Sequence, residues 1–175
     1  QNLTLLWEPG KQVSPVQGRQ TAVEFCCLTA STLRYHLLSN PQACVLGIHL
    51  LPEHHVRKLV ENQLPIEHRD QCMRRFAYAQ QDISKLTWSQ LSALTKSHLK
   101  LEAFEVDHYH AGWPCQSTST ASNQTPAWKN FTPHRWPDGR ARSAVAKRDD
   151  TLLSQIVSLF LRLKRDNHDI LLTML

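Results

Sequence analysis

Asn40-Pro41-Gln42-Ala43-Cys44-Val45-Leu46-Gly47-Ile48-His49-Leu50-Leu51 is the stretch on which the fold class turns. Asn is a preferred N-cap, and Pro is pre-shaped for the first helical position, where its missing N–H costs nothing. The stretch therefore predicts a helix from Pro41 to Leu51. Ala43, Cys44, Val45, Leu46, Ile48, Leu50 and Leu51 leave no polar face, which predicts burial on most sides.

Working upstream, Leu33, Leu37 and Leu38 follow the spacing of one helical face and predict a helix over 30–39. Downstream, Pro52 and Pro65 repeat the opening device. Val56, Leu59 and Val60 mark one helix, and Ile66, Met73, Phe76 and Ala77 mark the next. Thr87-Trp88-Ser89-Gln90 reads as a capping box, so a helix follows with Leu91, Leu94, His98 and Leu101 turned inward. Asp149 and Asp150 precede Leu152, Leu153, Ile156, Val157, Leu159, Phe160 and Leu163, the strongest helical pattern in the chain. Lys164 and Arg165 then complement the negative end of its dipole.

These readings give a mainly α protein: one compact domain over 1–175, made of short Pro-punctuated helices. Its parts are an irregular N-terminal segment (1–29), a helical core (30–106), a long polar loop (107–148), and a C-terminal core helix with its tail (149–175). Leu3 to Trp7 and Ala22 to Leu28 are apolar enough to be strands or buried helical segments instead.

A chain of 175 residues removes roughly 70% of its unfolded surface from water, so the core needs neither a metal nor a disulfide to hold it. No apolar run approaches the ~20 residues of a membrane span, and the first residues show no basic segment leading into an apolar one, so no secretory leader is expected. The net charge of +5 is a mild basic bias spread along the sequence, which argues against nucleic acid as a partner from composition alone. Five cysteines, odd in number and without a CxxC, point to a reducing compartment. The sequons at Asn2, Asn123 and Asn130 would matter only in a secreted chain.

Chemistry-bearing residues gather in a few places. In Asp107-His108-Tyr109-His110, alternation on an extended segment sends both histidines to one side, where Asp107 or Cys115 could complete a divalent-metal site. The same pattern resembles the metal motif of HUH nucleases, for which Tyr78 would be the nucleophile. With ten histidines in the chain, two near neighbours arise readily by chance, so no metal, cofactor or catalytic residue is assigned. His54-His55 with Arg57 and Lys58, and Glu67-His68 with Asp70 and Cys72, read as solvated helix faces. Arg135, Arg140, Arg142, Lys147 and Arg148, with Trp128 and Trp136 nearby, form the clearest basic cluster. A solvated linker is its expected role, and stacking on single-stranded nucleic acid the alternative.

The stretch 40–51 is similar to the central segment of the SctK family of type III secretion proteins (OrgA, MxiK and YscK among them), with Ala43, Leu46, Gly47 and His49 in the family's places. Trp88-Ser89-Gln90-Leu91-Ser92-Ala93-Leu94 resembles a second family stretch, and Asp149 to Arg165 resembles its last helix. The resemblance implies a non-enzymatic cytoplasmic adaptor of the secretion sorting platform, recruited to the cytoplasmic face of the inner membrane. Such a protein links the ring protein SctD to the SctQ pods, and indirectly to SctL and SctN. Arg57, Lys58, Arg69, Arg74 and Arg75 are the candidate partner-binding residues, selecting orientation by charge.

Overall fold

A computed structural model describes residues 20–25, 31–112 and 134–174. It corrects the expectation of a mainly α protein: the domain is α/β, built on five parallel strands. In chain order the elements are β1 (Thr21–Phe25), α1 (Ser31–Ser39), β2 (Cys44–His49), α2 (Glu53–Gln63), α3 (Arg69–Met73), β3 (Phe76–Gln80), α4 (Trp88–Leu99), β4 (His108–Ala111), α5 (Ala144–Asp166) and β5 (Leu171–Met174). Short 3-10 turns cover Ile66–His68, Ile83–Lys85 and Ala103–Glu105.

The stretch that opened the sequence reading is a strand and not a helix. Asn40 does cap backbone N–H groups, but in a turn: its side chain accepts from Gln42 N at 2.9 Å and its carbonyl from Ala43 N at 3.0 Å. This local bonding is the competitor that Asn offers to a helix start. Beyond it, Val45, Leu46 and Ile48 are fully buried because β2 lies between two strands and beneath helices on both faces. A doubly covered parallel strand is apolar on both sides, so it lacks the alternation that marks a half-exposed one. Leu50, expected inside, lies past the strand end and is 63% exposed.

Other boundaries move for related reasons. The apolar residues after Pro65 divide between α3 and β3, with Phe76 and Ala77 in the strand. The segment assigned to an irregular N-terminus contains β1, the central strand, and the polar segment 107–148 begins with β4 and ends inside α5. The helices after Pro52, after Thr87 and through Leu152–Leu163 stand where the sequence places them. His98, expected inward, is however exposed, and Leu101 lies past the end of α4, whose buried residues are Leu91, Thr95 and Leu99. The Thr87–Gln90 capping box is complete, with Thr87 accepting from Gln90 N and the Gln90 side chain accepting from Thr87 N at 2.8 Å.

The strand order is β3-β2-β1-β4-β5. One sheet face carries Val23, Phe25, Leu46, Ile48 and Tyr109 against Leu91 and Leu99 of α4 and Ile156, Leu159 and Leu163 of α5. The other carries Ala22, Val45, Phe76 and Tyr78 against Leu33 and Leu37 of α1 and Val56 and Val60 of α2. The chain runs outward from β1 in one direction through β3, then returns to the other side of β1 for β4 and β5. That reversal, between β1 and β4, fixes where a crevice opens at the carboxyl ends of the strands.

Candidate functional site

Three polar residues occupy the next-to-last position of neighbouring strands: Glu24 on β1, His110 on β4 and Thr173 on β5. The registers pair Glu24 with His110 and His110 with Thr173, so the three form a row across the sheet at the reversal. His108, two residues before His110, shares its face, as the alternation in the sequence requires. His36 reaches this face from α1 and meets His108, Nε2 to Nδ1, at 2.6 Å. The other His108 nitrogen lies 2.7 Å from Thr173 Oγ1, which also contacts His110 Nδ1 at 2.8 Å. The result is a buried hydrogen-bonded chain, His36–His108–Thr173–His110. Thr173 has one hydroxyl proton, so at most one of its two histidine neighbours accepts from it and the other donates to it.

Burial pushes the His108 imidazole down to about 3, with His36 and His110 adding to the effect, and it lowers His36 and His110 as well. The chain is therefore neutral at ordinary pH and suited to holding or passing a proton. Both His108 nitrogens are engaged in this chain. Among the described residues no group of three or more His, Cys, Asp or Glu is arranged to hold a metal ion. Asp107 serves the backbone instead: its carboxylate accepts from Thr21 N at 2.6 Å and Thr21 Oγ1 at 3.0 Å, tying β4 to β1. Cys115 lies outside the described residues. Tyr78 stands on β3, three strands from β4, and its hydroxyl lies between the carbonyls of His49 and Leu51, either of which can accept its proton. The structure does not bring it to the histidine pair.

Glu24 is a buried acid that the sequence pattern does not mark. One carboxyl oxygen accepts from Leu33 N at 2.7 Å in the first turn of α1, and the other has no partner among the described residues. Burial raises its carboxyl to about 7 from the ordinary 4.5, against the lowering effect of the Leu33 N–H. The folded state thus holds this proton more tightly than the unfolded chain, and stability falls as pH rises from about 4.5 to 7. The histidines act in the opposite sense, since their depressed values remove stability as pH falls below about 6.5. Glu24→Gln isolates the acid. The stability difference between this variant and the parent should grow by about 3 kcal/mol in the variant's favour between pH 4.5 and 8. Urea unfolding across that range measures it, and a pH-independent difference would show that Glu24 does not titrate in the window.

The carboxyl ends of β2 and β3 supply a second group of polar atoms. Gln81 N donates to His49 O at 2.9 Å, and the Gln80 side chain donates to Leu50 O at 3.2 Å, drawing the two strand exits together. Asp82 follows, capped by Ser84 through its hydroxyl at 2.6 Å and its N–H at 3.1 Å. The Ser84 hydroxyl above all keeps the Asp82 carboxyl below its ordinary range, so it is ionised. An acceptor carboxylate and the exposed Leu50 side chain therefore border the carboxyl edge of the sheet.

The charged residues predicted to meet partners divide. Lys58 and Arg74 are exposed. Arg57 pairs with Glu53 at 2.6 Å and lies over the Phe76 ring, and Arg69 donates to Leu64 O at 3.4 Å. Arg75 is committed inward: its guanidinium donates to Leu37 O at 2.6 Å, Asn40 O at 2.8 Å and Ala43 O at 3.0 Å. His54 and His55 are exposed on α2, and Glu67, His68 and Asp70 point to solvent while Cys72 is buried. No helix among the described residues is long and apolar enough to cross a membrane.

The strand order and the reversal beside β1 define a doubly wound α/β protein. No family model matches the chain, and no curated protein matches it. Among solved structures it is similar to the aminoglycoside resistance methyltransferase NpmB1, at 12% identity over 59% of this chain and 44% of that one, with a TM-score of 0.36. It is also similar to UDP-glucuronic acid 4-epimerase from Bacillus cereus in complex with NAD, at 13% identity over 89% of this chain and 55% of that one, with a TM-score of 0.39. The chain spans about half the length of these structures. The scores are too low for either likeness to bear on function.

Proposed function

We propose that the domain binds a phosphate-free adenosine cofactor of the S-adenosylmethionine type at the carboxyl edge of its sheet and belongs to a methyl-transferring enzyme. The observation that carries this reading is the all-parallel order β3-β2-β1-β4-β5, whose reversal at β1 is where doubly wound sheets take nucleotide ligands. The sequence narrows the ligand. The sequence between β1 and α1, Cys26-Cys27-Leu28-Thr29-Ala30, has no glycine, the residue type that lets a backbone cradle a pyrophosphate. The residues at the edge fit an adenosine without phosphates: Asp82 is an ionised acceptor for an amino or hydroxyl donor, and Leu50 offers apolar surface to a purine. The chemistry such a cofactor supplies is a methyl group activated on a cationic sulfur. This chain's own part would be to hold the adenosine through Asp82 and Leu50.

Calorimetric titration of the chain with S-adenosylmethionine and, separately, with NAD tests the reading. S-adenosylmethionine is expected to bind and NAD not to. Asp82→Ala should weaken binding at least about tenfold, as expected for loss of a hydrogen bond to a charged acceptor. Binding of NAD alone would replace the reading with a dinucleotide one, and binding of neither would remove it.

A second reading, the SctK-like adaptor joining SctD to SctQ at the cytoplasmic face of the inner membrane, is favoured by one surface. Leu59 and Ile66 are exposed, Ile66 by 81%, on the α2–α3 segment that also exposes Lys58 and Arg74. Co-purification of SctD-like and SctQ-like proteins is its test.

A further inference from the structure

The segment before α5 folds into a tight hairpin that neither proposed function uses. Arg135 and Ala141 form an antiparallel bridge, and Arg142 N and Ser143 N both donate to His134 O. Gly139 makes the turn at φ +85°, a conformation that disfavours a side chain. The hairpin displays Trp136, 45% exposed, with the Arg142 guanidinium 4.3 Å from the ring centroid.

Its cations are oddly placed for stability. Arg140 and Arg142 precede α5, and Lys147 and Arg148 lie near the start of this 23-residue helix, whose first turn contains no acidic residue. The positive end of the helix dipole lies there, so cations at this position are unfavourable to the fold by themselves. Three carboxylates lie in the same stretch, and they are partly used: Asp138 pairs with Arg140, Asp150 with Arg135, and Asp149 contacts Arg148 only at 3.5 Å. Arg142 and Lys147 have no carboxylate partner among the described residues.

Two contacts place this surface. The α5 C-cap Asn167 donates to Phe104 O, ahead of β4, whereas Gln155, near mid-helix, donates to Leu86 O, beyond β3. The helix therefore runs from the amino edge of the sheet at its C-terminus to the carboxyl edge at its N-terminus. The hairpin stands at the edge where the crevice opens.

We infer that the Trp136 hairpin and the first turns of α5 form a binding surface for single-stranded nucleic acid. The exposed indole stacks on a base, and Arg140, Arg142, Lys147 and Arg148 meet the phosphates. Phosphate neutralisation relieves the unfavourable charge at the helix start, and an aromatic platform with flanking cations is the usual construction for unpaired bases. Charge spread along the sequence argues against such a partner. What changes the conclusion is that the hairpin sets Arg142 against an exposed ring, directly ahead of the helix that carries Lys147 and Arg148.

Fluorescence anisotropy with a labelled oligothymidylate of about twenty nucleotides tests the inference, using the whole chain without cofactor, so its outcome is independent of cofactor binding. Four phosphate contacts predict that affinity falls about 50-fold between about 50 and 200 mM salt. Trp136→Ala should weaken binding about tenfold and Trp136→Phe much less. Lys147→Glu should weaken binding several-fold while leaving the thermal midpoint unchanged or slightly raised, because an acid suits that end of the helix. The inference is overturned by absence of saturable binding at the lower salt, by affinity that both Trp136→Ala and Lys147→Glu leave intact, or by equal affinity for a duplex of the same length.

Discussion

Leu46→Asp leaves no folded protein. Leu46 is fully buried at the centre of β2, between β1 and β3, in the core shared with α4 and α5. Removing its apolar side chain alone costs about 2–5 kcal/mol. An unpaired carboxylate in the same place adds several more, so the total reaches the whole stability of an ordinary domain, about 5–15 kcal/mol. Leu159→Asp on α5 should fail for the same reason, since that residue is also buried. The informative control is Leu50→Asp. A buried helix over 41–51 would make Leu50 as intolerant as Leu46, whereas the strand ends at His49 and leaves Leu50 in solvent. Circular dichroism and thermal melting of the two variants separate the cases, and a Leu46→Asp protein that melts like the parent would contradict the placement of β2.

Adjacent arginines should behave in opposite ways. Arg75→Glu is expected to destabilise the domain by about 4 kcal/mol, and Arg74→Glu by no more than about 0.5 kcal/mol. Arg74 is exposed, while Arg75 gathers the carbonyls of Leu37, Asn40 and Ala43, which belong to the end of α1 and the turn into β2. These carbonyls include the negative end of a helix dipole, and a carboxylate facing them is repelled as well as unpaired. Charge reversal at both positions together therefore measures folding rather than partner binding, so an interface on this face has to be tested with Arg74 and Lys58. Urea unfolding of the single variants gives the comparison, and equal midpoints would mean that Arg75 does not hold the turn.

How much of this is legible in the sequence depends on whether the signal is local. The Thr87–Gln90 capping box and the apolar row of α5 are written within a few turns of one helix, and both stand as the sequence places them. The nature of β2 depends on having a strand on each side and helices on both faces, and a continuous apolar run has the same appearance in a buried strand and a buried helix. β1 lies in a stretch whose apolar content fits a strand or a buried helix equally, and β4 holds two histidines, so it does not look like sheet interior. At the site, alternation places His108 and His110 on one side, as found. Glu24, His36 and Thr173 join them only through pairings and packing that no local spacing reveals. Arg75 reads as surface because an Arg-Arg pair at a short helix end gives no sign of the carbonyls behind it.

The central position of β1 also has a consequence for how the chain assembles. Its five residues pair on one side with β2, about twenty positions later, and on the other with β4, where Thr21 meets Asp107 across 86 positions. The first pairing closes a modest loop bridged by α1, and the second closes a long one whose entropy must be lost before any of its contacts form. The half of the sheet from β1 to β3 therefore has the topology to form first, as a template with one open edge at β1. β4 and β5 then dock on that edge, and the buried His36–His108 contact becomes possible only at that last step.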